Sequence, residues 1–241
     1  MMCLRNCRGP IPAGRRAPDD PDIDQVEARF RSEIDQEDKA LRALEQAHSS
    51  GARGSGTPIR IARMHEARGR RDDASKILRE ALARSPDDKP LHSAMAHHLM
   101  KLEQPDFDTV ADHLRRSFTM GDRAFEQRFD LAQLLFLRGA IEDCRNLFAD
   151  IDERAPDEFR KMTPRSDNVF TALLPSYRGT ITSLKPSYAF IRSAAYISDI
   201  FGHRSMSDVD SFDDLSIGEE VTFRLRFNRS RPTAVDIQPG R

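Results

Sequence analysis

The chain has 241 residues, of which 38% are hydrophobic and 32% are charged, and its formal net charge is −1 at pH 7. This length suits two domains. The near-neutral charge excludes a strong overall field that would draw the protein onto nucleic acid or a membrane, so such binding has to come from a local surface. The sequence has no apolar run near the ~20 residues that span a bilayer, and its few cysteines make no disulfide framework. We therefore expect a cytoplasmic protein.

The N-terminal segment, residues 1–22, is rich in proline, glycine and arginine. Proline lacks the amide donor that helices and central strands require, which predicts a disordered tail. Apolar residues between 24 and 48 then recur at the spacing of one helix face, and the glycines that follow end this run. The pattern predicts a helix that caps a helical domain over residues 23–158.

An internal repeat runs through residues 55–158. A small residue recurs at Ala62, Ala96 and Ala132, at intervals of 34 and 36 residues, and the two extra residues fit a turn at 103–106. Small residues at fixed positions let two short helices approach closely. The spacing resembles the tetratricopeptide repeat, a helix pair with a period of 34 residues. The resemblance implies an α-solenoid of three stacked pairs with a continuous core.

The tetratricopeptide resemblance also implies an inner groove that binds a protein partner. Basic residues there would attract an acidic peptide or extend a nucleic-acid path, and a groove without a dedicated small ligand is the alternative. Chaperone-binding repeats clamp a terminal carboxylate with lysines, asparagines and an arginine. Ala94, Glu126 and Asp130 stand at three matching positions, which argues against that role. The predicted partner groove consists of Arg63, His97, Lys101, Phe129 and Gln133.

After Pro175 the hydrophobic pattern changes from helical spacing to alternation, which is clearest in residues 221–227. Alternation of apolar and polar residues is typical of half-buried strands. Short strands and turns over residues 177–241 predict a small closed barrel, joined to the repeats by a linker at 159–176. The chain is thus predicted to be a multidomain protein, α-helical first and then β.

Four segments of the C-terminal region follow the order and spacing of a known pattern. They are Gly-Thr-Ile at 179–181, Ser-Tyr-Ala-Phe-Ile at 187–191, Asp-Ile-Phe-Gly-His at 199–203, and Phe-x-x-Leu-x-x-Gly-x-x-Val-x-Phe at 212–223. This pattern resembles the cold-shock domain. The resemblance implies a five-stranded barrel of the OB type that binds single-stranded nucleic acid across one face.

Aromatic side chains underlie the predicted nucleic-acid binding, because every base has a π-face and stacking contributes about 1–3 kcal/mol per base. Tyr188 and Phe190 are two residues apart in one strand and therefore share a face, and the same spacing separates Phe201 from His203. The cold-shock family adds a loop aromatic, and basic residues nearby would pair with phosphates. The predicted nucleic-acid site consists of Tyr188, Phe190, Phe201, His203, Phe212, Lys185, Arg192 and Arg204.

Departures from the cold-shock pattern weaken the stacking surface. Ser183 stands where the family carries a tryptophan, Gly202 replaces a bulky residue, and Arg204 replaces a phenylalanine. The alternation also fits an ordinary aromatic core, because a period of two does not say which face points inwards.

The sequence therefore predicts a non-catalytic adaptor. Its barrel would bind single-stranded nucleic acid, with RNA favoured, and its repeats would bind a protein partner. The alternative is a protein-interaction scaffold whose barrel no longer binds nucleic acid. We expect no enzyme, cofactor or metal site, because the sequence contains no nucleophile motif or phosphate loop and its histidines lack zinc-ligand spacing.

Overall fold

A computed structural model describes residues 21–51, 54–161, 169–207 and 212–240, and for 21–34 and 169 the backbone alone. The chain divides into two compact units, Met1–Ala52 and Arg53–Arg241. In the first unit, helix α1 covers Pro21–Ser49, where the apolar spacing predicts a helix. Most of the predicted disordered tail, residues 1–20, lies outside the described residues.

Six helices of the second unit form three consecutive pairs. They are α2 (Gly56–Ala67), α3 (Arg71–Arg84), α4 (Lys89–Leu99), α5 (Phe107–Arg116), α6 (Phe125–Leu137) and α7 (Ile141–Arg154). Each helix packs against the next along the chain, which is the stacking of an α-solenoid. The three pairs coincide with the three predicted repeats.

The recurring small residues act as the repeat pattern predicts. Ala62, Ala96 and Ala132 are all buried, so that neighbouring helices meet closely. In the first and third pairs, Gly69 and Gly139 follow the first helix with φ of 73° and 75°. This left-handed conformation costs glycine little because it has no Cβ, and it ends both helices at the same repeat position.

The second pair uses the longer turn that the extra two residues predict. Asp106 caps α5, because its Oδ1 accepts hydrogen bonds from the amides of Asp108 at 3.0 Å and Thr109 at 3.4 Å. Such a cap satisfies amide groups that would otherwise lack partners at the helix start.

Five strands follow the helices and form a closed barrel in the order β1-β2-β3-β5-β4. They are β1 (Tyr177–Lys185), β2 (Tyr188–Arg192), β3 (Ile200–His203), β4 (Glu220–Phe227) and β5 (Pro232–Pro239). The pairing of β3 with β5 is parallel, and the other four pairings are antiparallel. The predicted fold class, an α-solenoid followed by a small five-stranded barrel, is confirmed.

Gly202 has a structural reason within the barrel. It lies between two partly exposed residues of β3 and points to the interior. A Cβ at this position would lie 2.4 Å from Cδ1 of Ile237, which is closer than any real contact. A bulkier residue here would require the Ile237 side chain to shift. Because position 202 points inwards, glycine there removes no side chain from the outer face of the barrel.

The barrel packs directly on the third repeat. Phe227 stacks on Phe148, with ring centroids 6.0 Å apart and planes inclined by 17°, and it meets Phe136 edge-on at 5.3 Å. Tyr177 and Tyr196 contact the same Phe136 ring, at 6.4 and 6.1 Å. The third repeat and the barrel consequently share one continuous hydrophobic core.

The segment between repeats and barrel holds two short helices, α8 (Asp157–Lys161) and α9 (Val169–Ala172). The sequence predicts a linker at 159–176. In its described part, Phe159 packs against Phe125 at 5.7 Å and Phe170 packs against Phe107 at 6.2 Å. These contacts tie both ends of the connection to the helical repeats.

Candidate functional site

Four aromatic side chains lie together on the outer surface of β2 and β3. The strand register places Tyr188 opposite His203 and Phe190 opposite Phe201. Centroids of Tyr188, Phe190 and Phe201 are 5.7–5.8 Å from one another, and the His203 ring is 6.4 Å from Phe201. All four are partly exposed, whereas Ala189 between them points into the barrel. These four residues therefore do not form the buried core of the barrel, which was the alternative interpretation of the alternating pattern. We call them the aromatic face.

The surface of β1 extends the aromatic face on one side. Ser183 lies opposite Phe190 and Lys185 lies opposite Tyr188. Directly opposed residues share a face of the sheet, so both β1 side chains border the aromatic rings. Lys185 is exposed and forms no ion pair with any residue that the structure describes. Of the three basic residues predicted to contact phosphates, it is the one with an uncompensated charge.

The other two predicted phosphate contacts are already paired with carboxylates. Arg192 Nε donates to Asp199 Oδ1 at 2.9 Å, and this hydrogen bond holds the pKa of Asp199 below its ordinary value. Arg204 forms an ion pair with Asp213. The prediction that Arg192 and Arg204 are free to contact phosphates is therefore wrong. Each guanidinium would first have to release a neighbouring carboxylate.

The prediction that Phe212 belongs to the nucleic-acid site is also wrong. Its side chain is 2% exposed and belongs to the hydrophobic core, so a base cannot stack on it in this conformation. Burial of a large apolar ring is favoured by about 25 cal/mol per Å² of area removed from water.

A groove of about 890 Å³ runs along the first helix of each pair. Arg63 of α2 and His97 of α4 line it as predicted, as does Lys101 just beyond α4. A hydrogen bond from Gln127 Nε2 to Ser93 Oγ, 3.1 Å long, connects α6 to α4 across the groove. The helices of successive repeats therefore supply the groove walls.

Acidic side chains neutralise much of the basic character predicted for the groove. Lys101 Nζ lies 2.6 Å from Glu66 Oε2, and His97 Nε2 lies 3.1 Å from Asp130 Oδ2. The hydrogen bond to Asp130 raises the pKa of His97 above its ordinary value. Burial favours the neutral form of Glu66, but its bonds to Lys101 and His98 outweigh this and lower its pKa.

Phe129 and Gln133 do not line the groove, which corrects the prediction for both. They are 3% and 1% exposed. Phe129 and Phe136 lie on one face of α6, and the barrel covers both: Phe227 contacts Phe136, and the guanidinium of Arg229 lies 4.7 Å from the Phe129 ring centroid. The inner surface of the third repeat is therefore occupied by the chain's own barrel.

Sequence reasoning missed Glu66 and Arg71 as neighbours of the groove. Glu66 follows Arg63 by three residues and so shares its helix face, a spacing that was available in the sequence. Arg71 begins α3 and reaches a neighbouring pocket of about 440 Å³ that also includes Lys101. Its position depends on the packing of α3 beside α4, for which the sequence carries no local signal.

Within the described part of the chain, no helix has the length and apolar character needed to cross a bilayer. The same residues contain no group of three or more histidine, cysteine, aspartate or glutamate side chains placed to hold a metal ion.

Comparison with known proteins gives one match to a family model. The model, described as tetratricopeptide repeat, matches residues 59–98. No curated protein matches the sequence.

Among solved structures, the chain is similar to MamA, with 14% identity, a TM-score of 0.41, and coverage of 52% of this chain and 71% of that one. It is also similar to YrrB, described as a TPR protein with an unusual peptide-binding site. There the identity is 20%, the TM-score 0.43, and the coverage 55% and 69%.

Proposed function

We propose that this protein is a non-catalytic cytoplasmic adaptor whose barrel binds single-stranded nucleic acid and whose repeats bind a protein partner. The observation that supports nucleic-acid binding is the aromatic face, in which Tyr188, Phe190, Phe201 and His203 are mutually packed and partly exposed. Contact of apolar ring surface with water is unfavourable, so the clustering of four partly exposed rings favours a role in binding.

The aromatic face suits bases that are already unpaired. Stacking on a ring contributes about 1–3 kcal/mol per base and accepts any base identity, so we expect little sequence preference. RNA is favoured over DNA on the strength of the cold-shock resemblance alone. Lys185 is the single predicted phosphate contact with a free charge, since Arg192 and Arg204 are paired. The affinity is therefore expected to be modest and to depend weakly on salt.

The repeat groove supports the protein-binding part of the proposal. Three tetratricopeptide-like pairs line it, and part of the lining falls within residues 59–98, which match the repeat family model. Its walls are rigid helices, and polar side chains such as Ser93 and Gln127 can hydrogen-bond to an extended peptide backbone. Modest affinity for nucleic acid suits a module that gains effective affinity when a bound partner holds it near its target.

A second candidate function is a protein-interaction scaffold that does not bind nucleic acid. The ion pairs Arg192–Asp199 and Arg204–Asp213 favour it, because they neutralise two of the three basic side chains predicted to contact phosphates. Little free positive charge then remains at the edge of the aromatic face to attract a phosphate backbone. In this case the aromatic rings would contact another protein.

Fluorescence anisotropy of labelled oligouridylate and the matching DNA strand tests the proposal. The variant Tyr188→Ala/Phe190→Ala should bind about tenfold or more weakly, from the loss of two stacking contacts. The matched control is Thr222→Ala/Arg224→Ala on the outer face of β4, which should retain binding. Circular dichroism establishes that both variants are folded. If the wild type binds neither strand at low salt, the adaptor proposal is wrong and the scaffold takes its place.

A further inference from the structure

A second pocket, of about 440 Å³, adjoins the repeat groove and is rich in basic side chains. It lies where α2 ends, α3 begins and α4 ends. Arg63, Glu66 and Lys101 line both the pocket and the groove, so the two form a continuous depression. Ala67, Arg71 and the buried His98 complete the pocket wall. We call this site the basic pocket.

The carboxylates in and beside this depression already have cationic partners. Glu66 accepts hydrogen bonds from Lys101 Nζ at 2.6 Å and from the His98 ring at 2.7 Å. Asp122, farther along the groove, forms ion pairs with Arg128 Nη2 at 2.9 Å and with Lys89 Nζ at 3.3 Å. The remaining acidic lining residue, Glu126, pairs with Arg229 of the barrel.

Three arginines of the same depression keep an uncompensated charge. Arg63 and Arg71 in the basic pocket and Arg123 in the groove are exposed, and none of them has an ion pair with a described residue. The chain as a whole carries a net charge of −1, so this excess of positive charge is local. The depression is therefore electrostatically complementary to an acidic ligand.

The chemistry of the lining favours a peptide over nucleic acid. Apolar or neutral side chains such as Ile59, Pro90 and Ala94 line the groove between the arginines. No phenylalanine or tyrosine is among the described residues that line either pocket, and the rings of His97 and His98, which do line them, are hydrogen-bonded to carboxylates. Bases would therefore find no cluster of rings like the aromatic face on which to stack. Guanidinium groups, in contrast, match the two oxygens of a carboxylate in a bidentate geometry.

We infer that the groove binds an acidic segment of the protein partner, with carboxylate side chains held by Arg63 and Arg71 in the basic pocket. This rests on the proposed function only in that the repeats bind a protein. The free arginines supply the attraction, and the neutral groove wall contacts the side chains between the acidic ones. Glu66 remains paired with Lys101 and His98, so it does not oppose the ligand with a free negative charge.

Binding of a short fluorescein-labelled, glutamate-rich peptide with an amidated C-terminus to the full chain tests this inference. Arg63→Glu/Arg71→Glu should weaken binding by about tenfold or more, the loss of at least one charge-assisted contact. The matched control is Arg60→Glu/Arg79→Glu, which changes the same two helices and the same net charge at exposed residues outside both pockets. It should retain binding, and a peptide with glutamine in place of glutamate should not bind.

Three results would overturn the inference. The first is no binding of the peptide to the wild type, and the second is an equal loss of peptide binding in the two charge-reversed variants. The third is loss of oligouridylate binding in Arg63→Glu/Arg71→Glu but not in the control. The last result would assign the pocket to phosphates. If the charge-reversed variant unfolds, Arg63→Gln/Arg71→Gln repeats the comparison against Arg60→Gln/Arg79→Gln. Oligouridylate binding by the wild type and by Tyr188→Ala/Phe190→Ala is measured separately. Failure of this inference is therefore distinguishable from failure of the adaptor proposal.

Discussion

Arg229 of the barrel reaches into the third repeat, where its Nη1 lies 2.5 Å from Oε2 of Glu126. Its guanidinium also lies over the rings of Phe129 and Phe159, at 4.7 and 4.6 Å from their centroids. The contact joins two residues 103 positions apart in the sequence. Together with the stacked rings of Phe227 and Phe148, it ties the barrel to the third repeat.

Replacing Arg229 with alanine should lower the free energy of unfolding by about 1–3 kcal/mol, because a buried guanidinium loses two ring contacts and an ion pair. Urea denaturation followed by circular dichroism measures this change. Arg226→Ala, an exposed neighbour on β4, should have almost no effect. Equal stability of the two variants would mean that Arg229 does not anchor the barrel.

Two phenylalanines of the barrel should respond in opposite ways to substitution. Phe201→Ala removes a partly exposed ring and should weaken binding of oligouridylate while lowering stability less than a change in the core. Phe212→Ala opens the hydrophobic core and should cost about 3–5 kcal/mol of stability, as large-to-small core changes do. Anisotropy and thermal unfolding of both variants separate the two roles. Selective loss of binding in a folded Phe212→Ala variant would contradict this assignment.

Replacing Asp199 with asparagine should strengthen binding of single-stranded nucleic acid. The change removes the carboxylate that pairs with Arg192 and leaves a free guanidinium beside the aromatic face. One additional phosphate contact should make the slope of log K against log salt concentration more negative by about one. Anisotropy titrations over a series of salt concentrations measure both effects. Unchanged affinity and slope in Asp199→Asn would favour the scaffold over the adaptor.

The pair formed by His97 and Asp130 should make stability depend on pH. The hydrogen bond to Asp130 raises the pKa of His97 above its usual 6.5 in the folded state, so the folded protein holds the proton more tightly than the unfolded chain. The resulting stabilisation is fully present below pH 6.5 and is lost as the pH rises through the folded pKa.

Comparison of the wild type with His97→Gln by urea denaturation at several pH values tests this sign. The stability difference should shrink as the solution becomes more alkaline. NMR titration of the His97 ring provides a direct check, and a folded pKa at or below 6.5 would contradict the assignment.

Local patterns in the sequence are sufficient to predict the helix pairs and which aromatic residues share one strand face. Gly69 and Gly139 recur at one repeat position because both end a helix with positive φ, a requirement that only local geometry imposes. The spacing of Tyr188 and Phe190 shows that they share a strand face. It does not show which face is inward, because that depends on how the strands close into a barrel.

The residues that were predicted wrongly depend on contacts between distant parts of the chain. Phe129 and Gln133 have the spacing of inner-groove residues, but both side chains are buried, and Arg229 of the docked barrel lies over the Phe129 ring. Nothing near them in the sequence signals Arg229. Likewise, Arg192 has the charge of a phosphate contact, and its pairing with Asp199 appears only when β2 and the loop before β3 lie side by side.

The closure of the barrel limits how any other molecule can bind to it. Each of the five described strands pairs with a neighbour on both sides, through the parallel β3–β5 contact and the β1–β4 contact that close the ring. None of the described strands is therefore a free edge along its whole length, which disfavours the addition of a full strand by a ligand peptide or by a second copy of the chain. The outer side chains of the barrel are consequently its main surface for recognition.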